Sequence, residues 1–159
     1  MKPRMNYLHA APAAYKALLG LEQYVRGSGI EPKTLHLLKI RASQINGCAY
    51  CIDMHTKDAR AAGETEQRIY ALDAWREAPF FSEKERAALA LTESVTLISE
   101  DHVPDSVFEQ TLAQFSEAEI VNLTLAVATI NAWNRLAITF RSVPGEYQPA
   151  KASPTTAVA

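Results

Sequence analysis

Apolar residues recur along this chain at three- and four-residue spacing, and no stretch alternates strictly as a half-buried strand does. The pattern predicts helices throughout. A first helix runs from Pro12 to Arg26, with Leu18, Leu21, Tyr24 and Val25 near one face, and stops at Gly27-Ser28-Gly29. Pro32 suits a first helical position. The helix it opens continues to about Gln44, with Leu35, Leu38 and Ala42 on one stripe. Asn46-Gly47 is a break. A third helix is expected from about Cys48 to a C-terminal cap at Gly63, and a fourth from Glu66 to about Trp75.

Two capping boxes follow. Ser82-Glu83-Lys84-Glu85 opens a helix reaching about Ser99, and Ser116-Glu117-Ala118-Glu119 opens the last helix, to about Phe140. Between them Pro104 starts a shorter one, Asp105 to Gln114. The last helix is apolar on most sides, as a core or interface helix is. These signals give an all-α bundle of about six to seven helices with short connections. Residues 1–143 form one domain. Residues 144–159, rich in Pro, Ala, Ser and Thr, read as a flexible tail or an arm laid on a neighbouring subunit.

Composition narrows the function. A net charge of −2 over 159 residues gives no basic footprint for nucleic acid or an anionic membrane. No apolar run approaches the ~20 residues of a membrane span. Residues 1–10 lack the apolar core of a secretory signal. The expected location is the cytoplasm. There, two closely spaced cysteines point to redox or metal work rather than to a structural cross-link.

Those cysteines are Cys48 and Cys51, and His55 follows four residues after the second. On a helix all three share one face. A free thiol with a pKa of about 8.5 is only about 3% thiolate at pH 7. A helix N-terminus and a nearby imidazole both favour the anion. Two cysteines one turn apart can close a disulfide. Two other readings stand beside this one. Zinc would need a fourth ligand, and His9, His36 and His102 are distant in sequence. Both cysteines could also be inert core residues.

The run Arg41-Ala42-Ser43-Gln44-Ile45-Asn46-Gly47-Cys48-Ala49-Tyr50-Cys51-Ile52-Asp53-Met54-His55-Thr56 resembles the carboxymuconolactone decarboxylase superfamily, and within it the alkylhydroperoxidase AhpD-like branch. The likeness extends over about residues 10 to 140. It implies an AhpD-like bundle with the Cys-x-x-Cys at a helix N-terminus. It also implies a thiol-dependent peroxidase or disulfide oxidoreductase acting on hydrogen peroxide or small organic hydroperoxides. By the same resemblance Cys51 is the peroxidatic nucleophile. Cys48 donates a proton and then resolves the sulfenic acid as a Cys48–Cys51 disulfide, and His55 relays protons. The family pattern has a glutamate with eleven residues between it and the first cysteine; here that position is His36. His36 is therefore a candidate relay residue, but not an anionic anchor, which implies a weaker relay. Tyr50 stands where AhpD itself has a histidine and reads as an aromatic wall.

No metal, haem or flavin motif is visible in the sequence, so no bound cofactor is expected and the electrons are expected from an external dithiol or protein. By the resemblance, a peroxiredoxin or a lipoyl protein would be the redox partner, and the assembly a homotrimer or homohexamer. Two alternatives belong to other classes: a lactone-acid decarboxylase, which leaves the cysteines unexplained, and a redox sensor using the same disulfide as a switch. Asp58, three residues beyond His55, could orient it or be a solvated residue. Arg41 is expected to form a salt bridge. Trp75, Trp133, Phe80 and Phe81 are expected in the core or at a subunit contact.

Overall fold

The computed structural model describes residues 2–149, and among these every regular element is helical. In chain order they are α1 Tyr7–Ala10, α2 Pro12–Arg26, α3 Pro32–Asn46, α4 Ala49–Ala61 and α5 Glu66–Ala71. A 3-10 turn follows at Leu72–Ala74, then α6 Glu83–Thr96, α7 Ile98–Asp101, α8 Asp105–Leu112 and α9 Glu117–Phe140. The seven helices expected from the pattern are all present. The two additions, α1 and α7, are single turns too short to show a periodicity. The fold is all-α, as the pattern predicts.

α3 is the centre of the bundle and packs against α4, α6 and α9. The stripe Leu35, Leu38, Ala42 is buried, and so are Leu37 and Ile40 on another side. Leu35 and Leu38 join Val25, Leu91, Phe115, Leu123 and Val127 in one core. Leu37 and Ile40 join Ala59, Leu72, Trp75, Phe81 and Leu89 in a second. A helix buried on most sides lacks a clean amphipathic stripe, and the sequence pattern showed only half of its contacts.

The capping boxes are formed as expected. Ser82 and Ser116 each accept the backbone N–H three residues on, and Glu85 and Glu119 return the bond. Arg41 ties α3 to α6: its Nε donates to Glu93 at 2.7 Å, and it also pairs with Asp73. Trp75 and Phe81 are core residues, whereas Phe80 is 37% exposed.

The turn that carries Cys48 is built from both sides. Gly47 takes the left-handed conformation at φ 66°, and its N–H bonds Gln44. The Cys48 N–H reaches back to the Ser43 carbonyl at 2.9 Å. These two bonds close α3 in a Schellman motif, which glycine adopts without steric cost. Asn46 then pins the end of α3 to α9. Its Nδ2 donates to Asn131 and Asn134 at 2.8 Å each, and Asn134 donates to Ser43 Oγ at 3.0 Å.

Of the tail expected to be flexible or an arm, residues 144–149 lie on α4 of the same chain. Asp53 accepts the Gly145 N–H at 2.9 Å, and Lys57 donates to the Gly145 and Tyr147 carbonyls. Residues 150–159 lie outside the described residues. No described helix is long and apolar enough to cross a membrane.

Candidate active site

Cys48 is at once the residue that closes α3 and the N-cap of α4. Its Sγ accepts the backbone N–H of Cys51 at 3.4 Å. Helix α4 begins at Ala49, in line with the expected start at about Cys48, and the Cys48 sulfur takes the place of the usual Ser or Asp cap oxygen. The two cysteines form a disulfide, with Cα atoms 5.4 Å apart. Both are buried, packed with Ala137 of α9 and against Tyr50. The positive end of the helix thus acts first on the Cys48 sulfur, and Cys51 sits one turn further in.

Cys51 and His55 line one cavity of about 220 Å³, walled by Tyr7, Tyr15, Tyr50, Met54 and Trp133. The Tyr15 and Trp133 rings meet edge to face, their centroids 5.8 Å apart. Trp133 is thus not simply core: it forms part of the wall around the sulfur. Tyr50 has the expected position in that wall. Glu22 and Arg26 of α2 close the cavity's polar side.

A second cavity, of about 450 Å³, meets His55 together with His36, Lys39, Asp58 and Tyr147. His55 and Arg26 are common to both. Cys51, on α4, therefore shares the first cavity with His55 and is bonded to Cys48 at the cap, whereas His36, from α3, meets His55 only in the second cavity. Asp58 Oδ2 stands 3.9 Å from His55 Nδ1, and its other oxygen accepts the Tyr147 hydroxyl at 2.6 Å. That is ion-pair range, longer than a hydrogen bond.

His55 is only 4% exposed, and its Nε2 is buried with no hydrogen-bond partner among the described residues. Burial pushes its pKa down to about 3, and the charges of Lys39, His36 and Arg26 add to the effect. The imidazole is neutral at physiological pH and has a free ring nitrogen. Burial also lowers the pKa of His36; Lys39 and Arg26 reinforce this, while Asp58 and Glu64 oppose it. Burial raises the Tyr50 hydroxyl, and Tyr147 is pushed up to about 12 by burial and then by Asp58.

Three polar residues here escaped the sequence reading. Glu22 and Lys39 are 6% and 4% exposed, and Lys39 Nζ donates to Glu22 Oε1 at 2.5 Å. Arg26 Nε donates to the same oxygen at 2.9 Å. A signal was present. Glu22 falls on the stripe of Leu18 and Val25, and Lys39 on that of Leu35 and Ala42. A charge on an apolar stripe has to be paired when it is buried. Among the described residues no group of three or more His, Cys, Asp or Glu is arranged to hold a metal ion.

Comparison with known proteins agrees with this architecture. The model of the carboxymuconolactone decarboxylase family matches residues 12–94. The uncharacterized protein YdfG of Bacillus subtilis (strain 168) is 48% identical over 138 residues, covering 87% of this chain and 94% of that one. A crystal structure of an Agrobacterium tumefaciens protein of unknown function, with a suggested role in antioxidant defence as AhpD, superposes with a TM-score of 0.89 at 49% identity. It covers 92% of this chain and all of its own. The debrominase Bmp8 shares the fold at a TM-score of 0.79 and 21% identity, over 87% of this chain and 75% of that one.

Proposed function

Because this chain belongs to the carboxymuconolactone decarboxylase family, in its AhpD-like branch, we propose that it is a thiol-dependent peroxidase and disulfide oxidoreductase. One observation carries this reading. Cys51 shares a cavity with a neutral, buried imidazole, and a second sulfur is within bonding reach.

In the reduced protein the Cys51 thiolate attacks the outer oxygen of a hydroperoxide. The O–O bond breaks, the sulfur becomes a sulfenic acid, and the alkoxide leaves as an alcohol after taking a proton. His55, whose ring stays neutral, passes that proton on through its free nitrogen without storing it, and the Cys48 thiol is the second donor. Cys48 then attacks the oxidised sulfur. Water leaves and the disulfide seen here forms. The cycle needs two electrons from outside, supplied by an external dithiol or a dithiol protein such as a peroxiredoxin or lipoyl protein. In that step the incoming thiolate meets Cys51, which lines the cavity, and Cys48 departs. A leaving thiolate at a helix N-cap is the stabilised one.

His36 acts here as a second imidazole on the relay, across the back cavity from His55. The aromatic wall accommodates hydrogen peroxide or a small organic hydroperoxide. The setting is the cytoplasm and the assembly a homotrimer or homohexamer. Steady-state peroxide loss with dihydrolipoamide or dithiothreitol as reductant tests the activity. Repeated turnover supports an enzyme. A single stoichiometric oxidation would make the protein a redox sensor, and carbon dioxide release from a lactone acid would make it a decarboxylase.

A further inference from the structure

The strap of residues 144–149 has no part in the chemistry so far, yet one of its side chains ends beside the relay. Its backbone is held by α4: Asp53 accepts the Gly145 N–H, and Lys57 donates to the carbonyls of Gly145 and Tyr147. The Tyr147 ring thereby lines the back cavity, and its hydroxyl donates to one oxygen of Asp58 at 2.6 Å. The other oxygen, Oδ2, stops 3.9 Å from His55 Nδ1, well beyond the roughly 3 Å of an N–H···O bond. Asp58 lies three residues beyond His55 on one helical face, so a freed carboxyl can close that gap by side-chain rotation.

We propose that Tyr147 is a positioning residue for His55: by engaging Asp58 it keeps the carboxyl off Nδ1 and leaves the imidazole proton free to sit on either ring nitrogen. The inference rests on His55 being the proton relay of the proposed reaction, and not on which oxidant Cys51 meets.

The chemistry of a neutral relay calls for this freedom. The ring takes a proton at its bare nitrogen and gives up the one on the other, so each passage exchanges the two tautomers. A carboxyl bonded to Nδ1–H fixes one tautomer and holds the ring in it. In the structure neither nitrogen is fixed. Nε2 is buried with no partner among the described residues, and Asp58 Oδ2 is out of bonding range of Nδ1. The other polar groups of the back cavity do not take up the task. Arg26 and Lys39 both donate to Glu22, and burial lowers the pKa of His36 and keeps it neutral. Tyr147 remains a donor, since burial and then Asp58 push its pKa up to about 12.

The test reads the ring directly. It uses the disulfide form at neutral pH, where an imidazole whose pKa is about 3 is uncharged. Long-range proton–nitrogen correlation spectra report where the proton sits, and His55 is assigned by its loss in His55→Gln. The unsubstituted protein is expected to show two nitrogen shifts drawn together by exchange between tautomers. Tyr147→Phe keeps the ring and the strap's backbone bonds, and is expected to separate them into a protonated Nδ1 and a bare Nε2. Adding Asp58→Ala to Tyr147→Phe is expected to bring the shifts back together, which a general loosening of the strap would not do. Circular dichroism and thermal melting check the fold, and Tyr147→Leu removes the same bond should the Phe variant not fold. An unsubstituted protein already locked in one tautomer overturns the proposal. So does a Tyr147→Phe spectrum like the unsubstituted one, or a separation that persists without Asp58. No peroxide enters this measurement. The expected spectra in a protein that turns over no peroxide would keep the positioning role and end the peroxidase reading. Turnover without those spectra would do the reverse.

Discussion

The Cys48 sulfur accepts the backbone N–H of Cys51, so the first cysteine of the motif caps the helix that carries the second. Replacing the sulfur by a hydroxyl keeps an acceptor at the cap; replacing it by a methyl does not. In the reduced protein, Cys48→Ala should therefore be less stable than Cys48→Ser by about 1 kcal/mol. Urea melts measure the difference. Neither variant can close the disulfide. Each should stop after one peroxide with a sulfenic acid on Cys51, read by mass after trapping with a 1,3-dione.

The buried imidazole makes stability depend on pH in a definite direction. Above the ordinary histidine value of 6.5, His55 is neutral in both folded and unfolded chains and adds no pH dependence. As pH falls below that value the unfolded chain takes up a proton that the folded chain refuses until about 3. Stability should then drop by up to about 1.4 kcal/mol per pH unit from this group alone. His36 is shifted the same way and steepens the fall. Glu22 and Glu93, lowered from 4.5, lose their contribution only in more acid solution. Denaturant melts between about pH 7 and pH 5 isolate the histidines, and His55→Gln should flatten the slope.

The aromatic wall should sort substrates by their apolar body. Trp133→Ala removes one ring from the cavity around Cys51. Losing that contact, worth about 1–2 kcal/mol, should lower kcat/KM for an aryl hydroperoxide about tenfold. Hydrogen peroxide has no apolar body to contact the ring, and its kcat/KM should change little. Equal losses for both substrates would mean the ring supports the fold rather than the substrate.

Much of this molecule was legible in its sequence for simple reasons. Capping boxes at Ser82 and Ser116 and the break at Gly47 are local signals, and the structure uses each of them. Cys48, Cys51 and His55 share a face because their spacing is helical, which needs no tertiary knowledge. What lay hidden is long-range. Nothing local says that Glu22 meets Lys39, seventeen residues away, or that Trp133 of α9 closes the wall around Cys51. The start of α4 near Cys48 was legible, but that a sulfur would serve as its cap was not. The folding of residues 144–149 back onto Asp53 and Asp58 depends on side chains about ninety positions earlier.

The junction that delivers Cys48 to its cap should be sensitive to backbone chemistry alone. At Gly47 a Cβ would meet no atom within 4 Å, but the residue sits at φ +66°. Gly47→Ala should cost about 1–2 kcal/mol through that conformation. Asn134→Ala should cost about 2–3 kcal/mol, since Asn134 is fully buried and bonds both Asn46 and Ser43. Thermal melts of the two variants measure both losses.

The most direct measurement is steady-state consumption of hydrogen peroxide, with dihydrolipoamide as reductant, by the unaltered protein and by Cys51→Ser. The account predicts sustained turnover for the first and loss of at least about 99% of it in the second, because no other thiol lines the cavity beside His55. Full turnover by Cys51→Ser would contradict the assignment of the nucleophile, and with it the chemistry proposed for this site.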